Sequence, residues 1–114
     1  MDLQTAIDAH MQWRVKLRAA INRTEQLDAA VIGRDSQCEL GKWLASDGKM
    51  RFGAKPEFQK LVTAHRHFHV CAAQVASACN AGKSKEAEAL LNGAFSKHSQ
   101  ETVSAIQACK KACM

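Results

Sequence analysis

The sequence predicts an all-α protein, folded as a small helical bundle. Hydrophobic residues make up 46% of the chain, which contains a single proline and six glycines, a composition typical of a helical globular protein rather than a disordered one. In three long stretches the apolar residues recur with the 3.6-residue period of an amphipathic helix. At 114 residues, the chain is expected to form one domain, residues 1–114, around a single core.

Charge and cysteine usage narrow the classes of function. The 16 basic and 11 acidic residues are spread along the chain rather than gathered into the basic stripe of a nucleic-acid-binding protein. No apolar run reaches the roughly 18 residues of a membrane span, and the N-terminus lacks the features of an export signal. The five cysteines do not have the paired spacing of a secreted disulfide framework. We therefore expect a cytoplasmic protein without a nucleic-acid or membrane partner.

The first predicted helix covers residues 2–22, with Asp2 as its N-cap. His10 falls on the apolar face of this helix, together with Leu3, Ala6, Ile7, Trp13, Leu17, Ala20 and Ile21. A single histidine on such a face is more often a hydrogen-bonded core residue than a metal ligand. His10 alone therefore does not indicate a metal site.

A connection with a short helical piece at residues 25–32, closed by Gly33, leads to a second capping signal. Ser36 and Glu39 have the spacing of a capping box, with Asp35 as a competing cap. This spacing places Cys38 in the first turn of a short helix, where free backbone N–H groups favour a thiolate. Both a metal ligand and a redox-reactive sulfur require that thiolate.

Three residues of the same short helix help to place it. Gly41 leaves room for another backbone segment or for a metal to come close, and Trp43 and Leu44 supply an apolar anchor to the bundle. Residues 46–55, with Gly48 and Gly53 as turn residues, are predicted to form a loop.

Pro56 is suited to begin the next long helix, which is predicted to cover residues 56–80. His65 and His69 are four residues apart on its apolar face, a spacing that lets two imidazoles bind one ion, whereas His67 points elsewhere and is expected to be exposed. Two neutral imidazoles buried side by side lack hydrogen-bond partners. A shared metal would meet that need.

The last helix is predicted over residues 84–112, with Ser84 as its cap. His98 falls on its inward face and could support a ligand, replace one or be a plain core histidine, which we expect. The remaining cysteines are expected to be small core residues, although the last two could also oxidise or take up metal: Cys71, Cys79, Cys109 and Cys113.

Together, His10, Cys38, His65 and His69 offer one thiolate and three imidazoles. This is a complete tetrahedral ligand set, and it suits zinc better than magnesium or calcium. A complete set leaves no position for the water that a zinc hydrolase activates. The sequence also has no H-E-x-x-H motif, phosphate loop or nucleophile elbow, so we do not expect an enzyme.

Three motifs at fixed spacing carry a resemblance to a known family. His-x-x-Trp at 10–13, Cys-x-Leu-Gly-x-Trp at 38–43 and His-x-x-x-His at 65–69 are separated by 24 and 21 residues. This pattern resembles the chemoreceptor zinc-binding domain family, over nearly the whole chain and without departure at the four ligand positions. The resemblance implies a cytoplasmic bacterial sensory module of four-helix-bundle type, with an extra short helix carrying the cysteine. It also implies tight zinc binding and, often, a homodimer.

In that family the domain accompanies soluble chemotaxis receptors or diguanylate cyclases and regulates their output. The resemblance also implies that Cys38 could act as a redox switch towards oxidants such as hypochlorous acid. Zinc occupancy could instead be the signal, and a purely structural zinc in a helical interaction or dimerisation module is a further alternative. No output domain is recognisable in the sequence, so we expect an excised or stand-alone sensor.

Overall fold

The computed structural model describes residues 2–23 and 26–113, and within these ranges it is helical and contains no strand. The elements are α1 (Leu3–Arg23), α2 (Ala29–Ile32), a 3₁₀ turn (Asp35–Gln37), α3 (Glu39–Ala45), α4 (Asp47–Phe52), α5 (Pro56–Asn80), α6 (Ser84–Leu90), a π turn (Leu91–Phe95) and α7 (Ser96–Cys113). No helix in the described ranges is both long and apolar enough to cross a membrane. The all-α bundle predicted from the sequence is confirmed.

Three long helical columns make up most of the bundle: α1, α5 and the continuous run of α6, the π turn and α7. The short elements between α1 and α5, which are α2, the 3₁₀ turn, α3 and α4, take the place of a fourth long helix. The molecule measures 43 × 21 × 19 Å. Its shape follows from long amphipathic helices that bury their apolar faces against one another.

Two apolar clusters fill the interior, one towards each end of the bundle. The first joins the end of α1 to the end of α5 and to the start of the last column, and includes Leu17, Ile21, Phe68, Val75, Leu91 and Phe95. The second joins the start of α1 to α3, to the start of α5 and to α7, and includes Leu3, Ile7, Leu40, Trp43, Leu61 and Ile106. The predicted metal-ligating histidines lie along α1 and α5 between these clusters.

Most helix boundaries agree with the sequence prediction. The Asp2 carboxylate accepts a hydrogen bond of 2.9 Å from the Gln4 N–H, which confirms Asp2 as the cap of α1. Helix α5 begins at Pro56 and ends at Asn80, as predicted, and Gly82 follows with a left-handed φ of 75°. The predicted piece at 25–32 is helical only from Ala29, and residue 25 lies outside the described residues.

The predicted loop at residues 46–55 is wrong, because Asp47–Phe52 forms helix α4. Gly48 is buried inside this helix, where a Cβ atom would lie 2.8–2.9 Å from three ring carbons of Trp43. Gly53 ends the helix with a right-handed φ of −58°. Gly48 therefore allows α4 to approach the indole closely, a role that a turn-based prediction misses.

The last column departs from a regular helix at Leu91–Phe95, where a π turn inserts an extra residue. The Ser96 hydroxyl donates to the Leu91 carbonyl at 2.9 Å within this turn.

The expectation of a core histidine at His98 is wrong: its side chain is 23% exposed and its Nδ1 lies 3.2 Å from the Glu101 carboxylate. His67, predicted to be exposed, is exposed and its ring contacts that of His98.

The structure describes the side chains of three of the four cysteines other than Cys38. Cys71, Cys79 and Cys109 are buried, which confirms them as small core residues. The side chain of Cys113 lies outside the described residues.

Candidate metal centre

Four side chains from three parts of the chain converge between the two apolar clusters. They are His10 on α1, Cys38 at the start of α3, and His65 and His69 on α5, one helical turn apart. One potential ligand atom from each residue lies within 4.8 Å of those from the other three. The structure thus brings together every side chain that the sequence predicted for the site.

His65 is at the centre of this cluster. Its Nε2 lies 3.1 Å from the Nε2 of His10, 3.1 Å from the Nε2 of His69 and 3.1 Å from the Sγ of Cys38. A tetrahedral zinc ion with Zn–N bonds of about 2.0–2.1 Å holds its nitrogen ligands roughly 3.3 Å apart. The two N–N separations measured from His65 are close to that spacing.

The hydrogen bonds of His10 and His69 to backbone carbonyls show that their Nδ1 atoms carry the proton and that their Nε2 atoms carry the lone pair. The Nδ1–H of His10 donates to the Ala6 carbonyl at 2.7 Å, and the Nδ1–H of His69 donates to the Ile32 carbonyl at 2.8 Å. Because a neutral imidazole carries one proton, the Nε2 atoms of both rings face the cluster as lone pairs. Carbonyl acceptors behind the ring also orient a metal-bound histidine and raise its basicity.

A proton on His65 could not satisfy all of these lone pairs. Its Nε2 could donate to one neighbour at most, while its buried Nδ1 has no hydrogen-bond partner among the described residues. Converging lone pairs in an apolar interior are unfavourable unless a positive charge lies among them. The donor set therefore fits a bound cation, and its mixture of nitrogen and sulfur fits zinc.

Burial keeps the histidines neutral and available as ligands. Burial, together with the neighbouring His69 and His10, lowers the pKa of His65 to about 3. Burial also lowers the pKa of His10 and of His69, against the opposing effect of the carbonyls that accept their Nδ1 protons. Metal binding requires neutral imidazoles, so these rings need not lose a proton at neutral pH to bind zinc.

The local structure around Cys38 differs from the predicted capping box. Ser36 lies in the 3₁₀ turn, and Cys38 itself is the N-cap of α3, with its Sγ accepting the Gly41 N–H at 3.3 Å. Burial raises the pKa of the Cys38 thiol, although the N–H groups of Gly41 and Leu40 oppose that shift. The helix terminus alone therefore does not produce a thiolate, and a bound metal ion is needed to stabilise it.

Several groups that support the site were not predicted from the sequence. The carbonyls of Ala6 and Ile32 are backbone atoms, which carry no residue-type signal. The Phe68 ring lies 5.0 Å from that of His10 and 5.3 Å from that of His69, measured between centroids. Trp13 packs against His69 with a centroid distance of 6.4 Å. The one sequence signal for this packing is that Trp13 lies one helical turn after His10.

Comparisons with known proteins agree with this geometry. The family model described as the chemoreceptor zinc-binding domain matches residues 10–76, a range that contains all four converging side chains. Diguanylate cyclase DgcZ of Escherichia coli (strain K12) is 27% identical over 73 residues, which are 62% of this chain and 25% of the cyclase. The chain thus spans about a quarter of that relative, and no solved structure matches it.

The family match covers more than half of the chain, and the structure supplies a histidine and cysteine cluster of the composition that zinc prefers. Zinc is therefore the cofactor of this protein, and its general role is that of a zinc-binding sensory domain. The chain belongs to the chemoreceptor zinc-binding domain family.

Proposed function

We propose that His10, Cys38, His65 and His69 bind one zinc ion, and that the chain regulates a signalling output through the bond between zinc and Cys38. The observation that supports this ligand set most directly is the convergence of two Nε2 atoms, from His10 and His69, and of the Cys38 Sγ around the Nε2 of His65. Bound zinc would hold the Cys38 sulfur as a thiolate and neutralise the facing lone pairs. We further propose that residues 1–114 form one regulatory domain without a catalytic centre of its own.

The four ligands differ in how they are held. His10, His65 and His69 lie on long helices and are 0–3% exposed, whereas Cys38 is half-buried at the start of a seven-residue helix. Losing the sulfur ligand would detach the 3₁₀ turn and the start of α3 from the metal and leave three imidazoles on rigid supports, while Leu40 and Trp43 keep α3 in the core. Cys38 is thus the ligand through which a chemical signal would change the structure.

An oxidant is the signal that this arrangement favours. A zinc-bound thiolate is the nucleophilic form of cysteine, and hypochlorous acid would oxidise its sulfur by two electrons to the sulfenic acid while being reduced to chloride. A sulfenic acid is a weaker ligand than a thiolate, so the Cys38 segment would separate from the histidines. Zinc occupancy could act on the same segment, and a purely structural zinc would give neither response.

The output that we propose for this domain is a diguanylate cyclase or a chemotaxis receptor. Support comes from the relative's name, diguanylate cyclase, and from the chemoreceptor in the family description. Both outputs are consistent with a cytoplasmic regulatory domain that works as a homodimer. In such an assembly, movement of the Cys38 segment would be transmitted to the partner module.

The test begins with zinc content. We expect about one zinc per chain in the wild type and in Cys71→Ala, a matched control at a cysteine outside the site, and weaker zinc binding in Cys38→Ala. Absence of zinc from wild-type protein purified without chelators would contradict the proposal. Equal affinity in all three proteins would exclude Cys38 as a ligand.

The second step treats zinc-loaded protein with hypochlorous acid and measures hydrogen exchange. We expect faster exchange in residues 35–45 of the wild type and of Cys71→Ala. The same region should not respond to the oxidant in Cys38→Ala. Unchanged exchange in the wild type, with Cys38 shown to be oxidised, would leave zinc-level sensing or a structural zinc as the role of the site. Titration of free zinc then separates these two.

A further inference from the structure

Gly41 is in contact with the loop that precedes Cys38, and its contacts suggest more than a role in forming α3. Gly41 is buried, and a Cβ atom at this position would overlap the carbonyl oxygen of Asp35 and lie 2.7 Å from its carbonyl carbon. The obstacle is backbone, so it cannot move aside as a flexible side chain would. No residue other than glycine fits here without displacing the 3₁₀ turn.

The displaced turn is the segment that places the sulfur. The Gly41 N–H donates to Cys38 Sγ at 3.3 Å, and the Asp35 carbonyl accepts from the Cys38 N–H at 3.5 Å and from its thiol at 3.4 Å. The two residues that contact the sulfur, Gly41 and Asp35, are thus also in contact with each other. A methyl group between them would move the Sγ from its position 3.1 Å from His65 Nε2.

The same loop reaches the site at a second point. Three residues before Asp35, the Ile32 carbonyl accepts the Nδ1–H of His69 at 2.8 Å. A displacement of the 3₁₀ turn would therefore strain this contact as well as the sulfur. The three histidines, by contrast, lie on α1 and α5 and do not depend on the loop for their backbone position.

We propose that Gly41 is the positioning residue of the zinc thiolate: its missing side chain sets the place of Cys38 Sγ, and its N–H supports the charge on that sulfur. This inference rests on the proposed ligand set. It predicts that a methyl group at position 41 removes the sulfur ligand while leaving a site of three imidazoles. A role limited to helix stability would affect all ligands alike.

Cobalt(II) is a suitable probe, because thiolate-to-cobalt charge transfer in the near ultraviolet reports sulfur ligation separately from the visible d–d bands. At equal cobalt occupancy, we expect Gly41→Ala to lose the charge-transfer band and keep visible bands, as Cys38→Ser does. We also expect its zinc affinity to fall by at least about 10- to 100-fold, because that is the usual cost of losing support for a ligand and here the ligand itself is lost. The matched control is Gly93→Ala, where a Cβ would meet no atom within 4 Å.

The wild-type spectrum distinguishes a failure of the proposed ligand set from a failure of the positioning role of Gly41. If the wild type shows no charge-transfer band, the proposed ligand set is wrong. If the wild type shows the band and Gly41→Ala shows it at equal strength, the ligand set stands and the positioning role of Gly41 is refuted.

A second measurement needs no substitution and covers the case in which Gly41→Ala fails to fold. In wild-type protein loaded with cadmium-113, the Gly41 amide proton should show scalar coupling to the metal through the N–H···S hydrogen bond. A resolved Gly41 amide signal without that coupling, in protein whose Cys38 is shown to bind cadmium, would overturn the inference.

Discussion

The Sγ of Cys38 lies 3.1 Å from the Nε2 of His65, and this contact links two unequal parts of the molecule. His65 is fully buried on a 25-residue helix, whereas Cys38 is the N-cap of a helix of seven residues. Zinc shared between them would use the stable part of the bundle to hold the less stable part. Loss of the metal should therefore affect the two parts differently.

Removal of zinc is expected to lower stability and to loosen the short helices first. A ligand that binds only the folded state stabilises it by about 4 kcal/mol when its free concentration is a thousand times the Kd. After chelation, we expect a lower thermal midpoint, together with faster hydrogen exchange in residues 29–52 than in the buried turns of α5. Re-addition of zinc should reverse both changes. Uniformly faster exchange along the whole chain would contradict this order.

The metal-free protein is expected to lose stability as the pH falls from about 6.5 towards 3. Unfolded histidines titrate near 6.5, but burial keeps the pKa of His65 at about 3 in the folded protein. Between these values the unfolded chain binds more protons, so acidification favours unfolding. Each unit of pKa difference corresponds to about 1.4 kcal/mol, so a loss of a few kcal/mol is expected.

Denaturant unfolding in the presence of a chelator, repeated across this pH range, measures that loss. His65→Gln should show a shallower dependence on pH, because it removes the most strongly shifted histidine. His67→Gln, at an exposed position on the same helix, should keep the wild-type dependence. Identical slopes in all three proteins would contradict the assignment to His65.

The long helices and the converging side chains could be predicted because both depend on periodic burial. In α1, His10 follows Ala6 and Ile7 on one face, and in α5, His65 and His69 share a face with Phe58 and Leu61. Such faces are visible in sequence, since a helix repeats its contacts every three or four residues. Their inward direction then places the imidazoles in the interior.

The errors concern features that the apolar pattern of the sequence does not show. Residues 46–55 contain two glycines, which suggest a turn, yet Gly48 belongs to a helix and allows contact with Trp43. Regular periodicity places His98 on an inward face, and Thr102 and Ile106 on that face are indeed buried, but the His98 ring is 23% exposed and lies beside the Glu101 carboxylate. Neither the pairing of a histidine with a nearby carboxylate nor the partner of a glycine is encoded in the local hydrophobic pattern.

Gly48→Ala is expected to destabilise the contact between α4 and α3. The added Cβ would lie 2.8–2.9 Å from the Trp43 ring, and overpacking of this kind usually costs about 1–3 kcal/mol. We expect a lower thermal midpoint and a change in indole fluorescence, since the ring would have to shift. In Gly93→Ala the new methyl group meets nothing within 4 Å, so this variant should be neutral or slightly more stable.

Asn80 anchors the segment that leads to the zinc site. Its Oδ1 accepts the Leu27 N–H at 2.7 Å and its Nδ2 donates to the Leu27 carbonyl at 2.6 Å, so one side-chain amide pairs with both backbone groups of a single residue. The chain continues from Leu27 into α2, whose last residue, Ile32, accepts the His69 proton. This pairing therefore fixes the far end of the segment whose other end carries Cys38.

Asn80→Ala is expected to lower the free energy of unfolding by about 1–3 kcal/mol, since two hydrogen bonds are lost at a partly buried site. It should also accelerate zinc release to a chelator, because α2 and the Ile32 carbonyl are held less firmly. Asn80→Asp keeps the acceptor but places a negative charge beside the Leu27 carbonyl, and we expect it to be no better than alanine. Urea unfolding and zinc-transfer kinetics measure the two effects. An Asn80→Ala variant that is destabilised but releases zinc at the wild-type rate would show that this anchor does not reach the metal centre.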